Sequence, residues 1–403
     1  MTRPIILESL FALVLSCGAI ACDALLTEPP ADGETFDAPI AGLSTTETAA
    51  FVRGDEAFGK AFSVREGLGP LFSQPSCESC HPGDGRGSAR TSLVRFGFWN
   101  GLSFDLLLSD GGPQLQERSI PGVLPETIPS RANVISTRTG LAVFGLGLIE
   151  AIPDSVILAY ADENDMNADG ISGRPNLVGA PEYLGRGPGP HLGRFGRKAG
   201  VAFLLHQVVN AYQQDIGITT DYLPLENAHL QAGVPTRDDV PEPELAASVV
   251  NDVVFYLQTL SPPRQGDESP DVAAGKQLFS SIGCASCHRP SMQTGSDHPI
   301  KALRNTEVRL YSDLLLHDMG PELADGFYEG VAIGTEWRTT PLWGLRLVRE
   351  FLGGTPVYLH DGRTSDLREA IRAHGGEAQA ARDAFLQLNE QDKQALMKFL
   401  ESL

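Results

Sequence analysis

Positive charge is in short supply along this chain. Lys and Arg total 31 against 51 Asp and Glu, a formal net charge of -20 over 403 residues. A surface this acidic repels nucleic acid and anionic lipid, so it argues against both as partners and suits a small basic protein better. Long apolar runs are equally scarce. One stretch, Ile5 to Ala21 after Arg3, is broken by Glu8 and by Ser, Gly and Cys, and Asp23 and a Pro-rich segment follow it at once. It is too short for a comfortable membrane span and reads as an export signal over 1–22. Ala19-Ile-Ala21 before Cys22 looks like a lipoprotein cleavage site, with Cys17 as the competing choice. A periplasmic or other extracytoplasmic location is therefore expected, with a lipid as the sole membrane anchor. Cysteine is the third scarcity: there are six in the chain.

Two of those six fall in the signal. The other four fall in two pentads, Cys77-Glu-Ser-Cys-His81 and Cys284-Ala-Ser-Cys-His288. None remains for a structural disulfide or a catalytic thiol. A bare Cys-x-x-Cys fits a redox dithiol or half a zinc site. A histidine directly after the second cysteine, twice over, instead marks the attachment of c-type haem. The thiols add across the haem vinyl groups and the histidine takes the iron from the proximal side. Two covalently bound haems c are the expected cofactors, on Cys77, Cys80, Cys284 and Cys287, with His81 and His288 as iron ligands.

Apolar residues make up 42% and charged residues 20% of the chain, as in a folded soluble protein long enough for two or three domains. Residues 23–48, rich in Pro, Thr, Asp and Gly, read as a flexible tether. The apolar positions from Phe51 to Phe72 suit a helix running into the first pentad. Three elements then recur in the same order. Gly59-Lys-Ala-Phe62 and Gly275-Lys-Gln-Leu-Phe279 precede the pentads. Arg138-Thr139 leads to Phe144-Gly-Leu146 as Arg338-Thr339 leads to Trp343-Gly-Leu345. Apolar helices over 249–260 and 392–403 close the two units. The predicted fold is mainly α, two c-type cytochrome domains in tandem at 49–262 and 271–403, the first enlarged by loop-rich insertions. Ser261 to Pro270 is the expected linker. Within the insertion, Asp165, Asn167, Asp169 and Gly170 repeat the first half of a calcium loop, but the later bidentate glutamate is missing. Calcium and a solvated Asx-rich turn are the two readings.

The carboxy-terminal unit carries Arg338-Thr-Thr-Pro-Leu-Trp-Gly344, Tyr358-Leu-His-Asp-Gly-Arg363 and Asp366-Leu-Arg-Glu-Ala-Ile371. This series resembles the signature of bacterial di-haem cytochrome c peroxidases and MauG-type enzymes. Phe144 to Pro153, Asp169 to Asn176, Gly193-Arg-Phe-Gly196 and Leu316-His-Asp-Met-Gly320 extend the likeness, over about 50–403, to the di-haem oxidoreductase branch of that superfamily. The resemblance implies one haem with a tight sixth ligand that passes electrons and another with an open site where hydrogen peroxide binds. It puts the sixth ligand of the electron-transfer haem at His374, where the peroxidases have methionine and MauG has tyrosine. Met319 and His317, in the same unit, are rivals. No histidine follows His81 closely, and His191, His206 and His229 read as structural. The resemblance also sets Glu150 where the peroxidases keep the glutamate that moves the peroxide proton. His360 is expected at a haem propionate or the domain interface. Trp337 and Trp343 read as core packing before electron relay.

Three activities follow as expectations. The first is reduction of hydrogen peroxide with electrons from an external donor, a small redox protein or a quinol. The second is a MauG-like oxidation of a substrate or partner protein, and the third is a non-catalytic di-haem electron carrier.

Overall fold

The computed structural model describes residues 35–187, 189–233 and 237–403. The export signal, Cys17 and Cys22 lie outside the described residues, as do residues 23–34 of the expected tether. The rest of that tether is not loose. Phe36 is 1% exposed and stacks between Phe144 and Phe351, with ring centroids 4.8 and 4.2 Å away. Pro39 bridges Leu260, and the Ile40 amide donates to the Thr259 carbonyl at 2.8 Å. An aromatic in a polar, Pro-rich stretch was enough to seat it in the core.

Eleven helices are described: α1 (Thr45–Gly59), α2 (Cys77–Cys80), α3 (Leu146–Glu150), α4 (Asp154–Leu158), α5 (Leu204–Ala211), α6 (Ala247–Thr259), α7 (Pro270–Ser281), α8 (Leu345–Phe351), α9 (Leu367–Arg372), α10 (Gln379–Gln387) and α11 (Glu390–Leu400). The helix expected over 51–72 instead starts at Thr45, where Ser44 and Glu47 close a capping box, and ends at Gly59. Helices dominate the regular structure, with small antiparallel sheets beside them. The largest pairs Leu93–Trp99 with Phe104–Asp105 on one edge and Val134–Arg138 on the other. No helix among the described residues is long and apolar enough to cross a membrane.

Two helix pairs organise the molecule, α1 against α6 and α7 against α11. Each crosses at a glycine. A Cβ on Gly54 would sit 2.2 Å from the Asp252 carbonyl oxygen, and one on Gly275 would sit 2.1 Å from that of Ala395. One turn later, Phe58 packs on Tyr256 at 5.6 Å and Phe279 on Phe399 at 5.3 Å. The repeat therefore aligns Gly54 and Phe58 with Gly275 and Phe279. Gly59, the partner suggested by the shared Gly-Lys step, faces Glu78 instead. The second repeated fragment packs against its own copy: a Cβ on Gly145 would meet the Trp343 ring, and one on Gly344 the Phe144 ring, both at 2.5 Å.

The apolar core does not divide at the expected 261–270 linker. Met292, Ile300, Leu303, Val308, Leu310, Leu314, Leu315 and Leu347 join the cluster built on α1, α5 and α6. Val272, Phe279, Tyr311, Leu345, Tyr358, Phe385 and the buried face of α11 form a second, smaller cluster.

Candidate functional site

The chain after α7 turns through Gly283, in the left-handed region at φ +95°, into a short 3-10 turn over Cys284–Ser286. This presents Cys284, Cys287 and His288 to a cavity of about 540 Å³. His288 Nδ1 lies 2.9 Å from the Tyr311 carbonyl, so that nitrogen carries the proton and Nε2 is left free. Burial pushes the ring down to about 4, which keeps it neutral and able to ligate. His374, just beyond α9, lines the same cavity. Its Nδ1 donates to the Ala370 carbonyl at 2.7 Å, and burial lowers its pKa in the same direction. The two rings thus face one cavity, each oriented by a backbone carbonyl, as metal-bound histidines commonly are. Met319 also lines it.

His317 is differently placed. Nε2 meets Asp313 Oδ2 at 2.9 Å and Nδ1 meets Glu377 Oε2 at 2.7 Å. Burial opposes its charge, but the bonds to Asp313, Cys287 and Glu377 outweigh burial and hold the ring protonated well above the usual histidine range. With both nitrogens engaged, His317 has no lone pair to offer iron. It braces the loop behind Cys287.

Four guanidinium groups line the cavity; Arg382 pairs with Asp383, and the other three, Arg86, Arg197 and Arg338, were not singled out as site residues from sequence. They arrive from segments far apart in the chain, so no local pattern marked them as a set. Burial lowers all three, Arg338 to about 10, and Arg86 and Arg338 depress Arg197 further. Arg197 donates to the Thr139 carbonyl at 2.9 Å, and Arg338 to that of Gly196 at 2.9 Å. A buried group of cations bonded to carbonyls is under-neutralised and suited to an anion. His360 stacks on Trp337, centroids 3.9 Å apart and planes 13° from parallel, and both line the cavity.

The amino-terminal pentad repeats the arrangement. Ser76 caps α2, the His81 amide donates to the Cys77 carbonyl at 3.0 Å, and Nδ1 lies 3.2 Å from the Gly85 carbonyl. Burial lowers His81 too. Phe58 stands 6.4 Å from the His81 ring, as Phe279 stands 6.3 Å from His288. Gly140 is glycine because a Cβ there would come within 3.0 Å of His81 Cε1. Burial, and then the Asp215 carboxylate, raise the Cys77 and Cys80 thiols to about 12.

Glu150, at the end of α3, sits in a clamp. Oε1 accepts from the Leu204 amide at 3.0 Å, Oε2 accepts from Gln258 Nε2 at 2.6 Å, and His298 Nε2 lies 3.9 Å off. Burial raises its pKa, but these donors outweigh burial and hold it below the ordinary glutamate value. Arg194 binds the backbone of this turn, not the carboxylate. Asp165 and Asp169 spend oxygens on their own loop, accepting from the amides of Gly170 at 3.2 Å and Ile171 at 2.9 Å. Asn167 Nδ2 donates to Asp169 Oδ2 at 3.1 Å. Of the histidines read as structural, His191 lies 3.4 Å from the Gly187 carbonyl, His206 is on α5 and His229 is buried. Trp343 packs against Phe144, centroids 6.4 Å apart.

The chain matches the family described as di-haem oxidoreductase, putative peroxidase, over residues 27–96 and 128–403. None of the curated proteins matches it. Among solved structures it is similar to hydrazine synthase of Kuenenia stuttgartiensis, at 13% identity and a TM-score of 0.39, over 94% of this chain and 96% of that one. It is also similar to a MauG-like protein associated with microbial copper homeostasis, at 14% identity and a TM-score of 0.37, over 94% of each chain. The chain belongs to the di-haem oxidoreductase family, and membership implies haem cofactors.

Proposed function

We propose that this family member is a di-haem c-type cytochrome that reduces hydrogen peroxide with electrons from an external donor. Its haems sit in two cytochrome-type units, 49–262 and 271–403, attached through Cys77 and Cys80 and through Cys284 and Cys287. The observation that carries the reading is the cavity shared by His288 and His374. Two neutral imidazoles with oriented rings, two thiols on one wall and three under-neutralised arginines fit a porphyrin with its iron, vinyl groups and anionic propionates. When bound, haem supplies reversible one-electron chemistry and, where the iron has one protein ligand, a coordination site for peroxide.

The chain's own part follows from geometry. His288 and His374 would together hold the iron of the carboxy-terminal unit and so reserve it for electron transfer. Arg86, Arg197 and Arg338 would neutralise the propionates of that haem. In the amino-terminal unit His81 would be the one protein ligand, which would leave that iron able to take peroxide. Glu150 takes the proton from one peroxide oxygen and returns it to the leaving oxygen, with His298 and Gln258 holding the carboxylate in place. One peroxide thereby consumes two electrons and two protons and leaves as two waters. The donor is a small basic redox protein or a quinol, and the amino-terminal signal supports an extracytoplasmic, lipid-tethered location.

Steady-state peroxide consumption with a reduced donor tests this reading. Glu150→Gln should slow consumption by about 100-fold, the lower end of what a positioned acid/base contributes, with the spectrum of the carboxy-terminal haem unchanged. A wild-type protein that consumes no peroxide would refute the activity. A variant as fast as wild type would remove Glu150 from it.

A further inference from the structure

Residues 218–233 and 237–245 precede the start of α6, and four of their carboxylates meet there. Glu226, Asp238, Glu242 and Glu244 each offer one oxygen, and these four oxygens lie within 4.8 Å of one another. Asp238 is 3% exposed, whereas Glu242 is exposed and gives the cluster a way in from solvent. The carboxylate of Glu244 presses on the backbone of Gly67, where a Cβ would come within 2.4 Å of Oε1. The cluster thus joins the loop to the segment that leads into the first pentad.

The polar accounting is incomplete. Thr219 serves part of the group: its amide reaches Glu244 Oε2 at 2.6 Å, and its hydroxyl reaches Glu244 at 2.7 Å and Glu242 more closely. The Val240 amide donates to Asp238 Oδ1 at 2.7 Å. Oδ2 of Asp238, Oε1 of Glu244 and both oxygens of Glu226 are buried with no donor. Buried carboxylates facing one another, acceptor to acceptor, need a cation or shared protons between them.

The donor chemistry selects the cation. All four groups offer hard oxygen, with no thiol or imidazole in the set. Four carboxylates supplied by the chain itself suit calcium, which takes about six to eight oxygens in a flexible shell, better than magnesium, which keeps several waters and is usually held by one or two carboxylates. We propose that Glu226, Asp238, Glu242 and Glu244 form a calcium site that pins the 218–245 loop against the start of α6 and the Gly67 turn. It is separate from the Asp165-Asn167-Asp169 loop, whose carboxylates are engaged by their own backbone, and it does not depend on the peroxidase reading.

Calorimetric titration of the full, haem-loaded chain with calcium chloride, after passage over a chelating resin, is the test. One calcium should bind per chain and raise the melting temperature, and equimolar magnesium chloride should not reproduce the rise. The double variant Glu226→Gln, Asp238→Asn should lose both effects, while Asp165→Asn, Asp169→Asn keeps them. Glu242→Gln, at the exposed edge, should fold in any event and bind at least tenfold more weakly. No binding by the wild type, equal stabilisation by magnesium, or unchanged affinity in Glu242→Gln would overturn the site.

Discussion

His81, His288 and His374 share one device: a backbone carbonyl holds Nδ1 while burial keeps the ring neutral. If His374 is the sixth ligand, replacing its imidazole with a thioether raises the haem potential. His374→Met should therefore shift the midpoint of one haem upward in a redox titration, within the roughly 0.8 V range that axial ligands set, and leave the other in place. An unmoved midpoint would assign the position elsewhere. A second prediction concerns Glu126, buried and pushed up to about 7 although the Gln116 amide donates to it. Its folded value exceeds that of an unfolded glutamate, about 4.3. Its contribution to stability is therefore full below about pH 4.3 and is lost as pH rises through about 7. Glu126→Gln should flatten that slope, melting higher than wild type at pH 8 and no higher at pH 4; parallel melting curves at both pH values would count against it. At this scale the sequence was most legible where function is local. The pentads are contiguous, so both were visible at once. Arg86, Arg197 and Arg338 meet only in three dimensions, and His317 looked available until Asp313 and Glu377 were seen on its two nitrogens.

The helix crossings show why the repeat was legible and its register was not. Gly59-Lys60 and Gly275-Lys276 look alike in the chain, but a repeat is held in register by what its side chains touch. Gly54 and Gly275 are the residues pressed against a partner helix. Adding one methyl at either site should therefore cost on the order of 1–3 kcal/mol, as overpacking does. Gly59→Ala, facing the flexible end of Glu78, should be nearly neutral. Chemical denaturation of the three alanine variants separates the cases, and a Gly59→Ala loss equal to that of Gly54→Ala would restore the register suggested by sequence. The helices over 249–260 and 392–403 were legible from their apolar spacing. The early start of α1 depended on the Ser44 cap, which lies inside a stretch whose composition suggested a tether.

Across the whole molecule, the two halves are knit together. Arg138 pairs with Asp325 at 3.0 Å and Glu329 at 2.6 Å, Lys198 with Asp325 at 3.0 Å, and Ser172 donates to Glu377 at 2.6 Å. The carboxy-terminal cavity itself draws Arg86 and Arg197 from the amino-terminal half. The repeat was legible because each half carries the same landmarks. The shared core was not, because an apolar residue in sequence does not announce which half it will join. This union suits an enzyme in which one centre is closed for electron entry and the other is open for chemistry. Electron paramagnetic resonance of the haem-loaded, ferric protein, before and after one equivalent of hydrogen peroxide, tests that division most directly. We predict one low-spin signal from the His288/His374 centre and one high-spin signal that disappears on peroxide addition. Two low-spin signals, both unmoved by peroxide, would contradict the account and leave the protein an electron carrier.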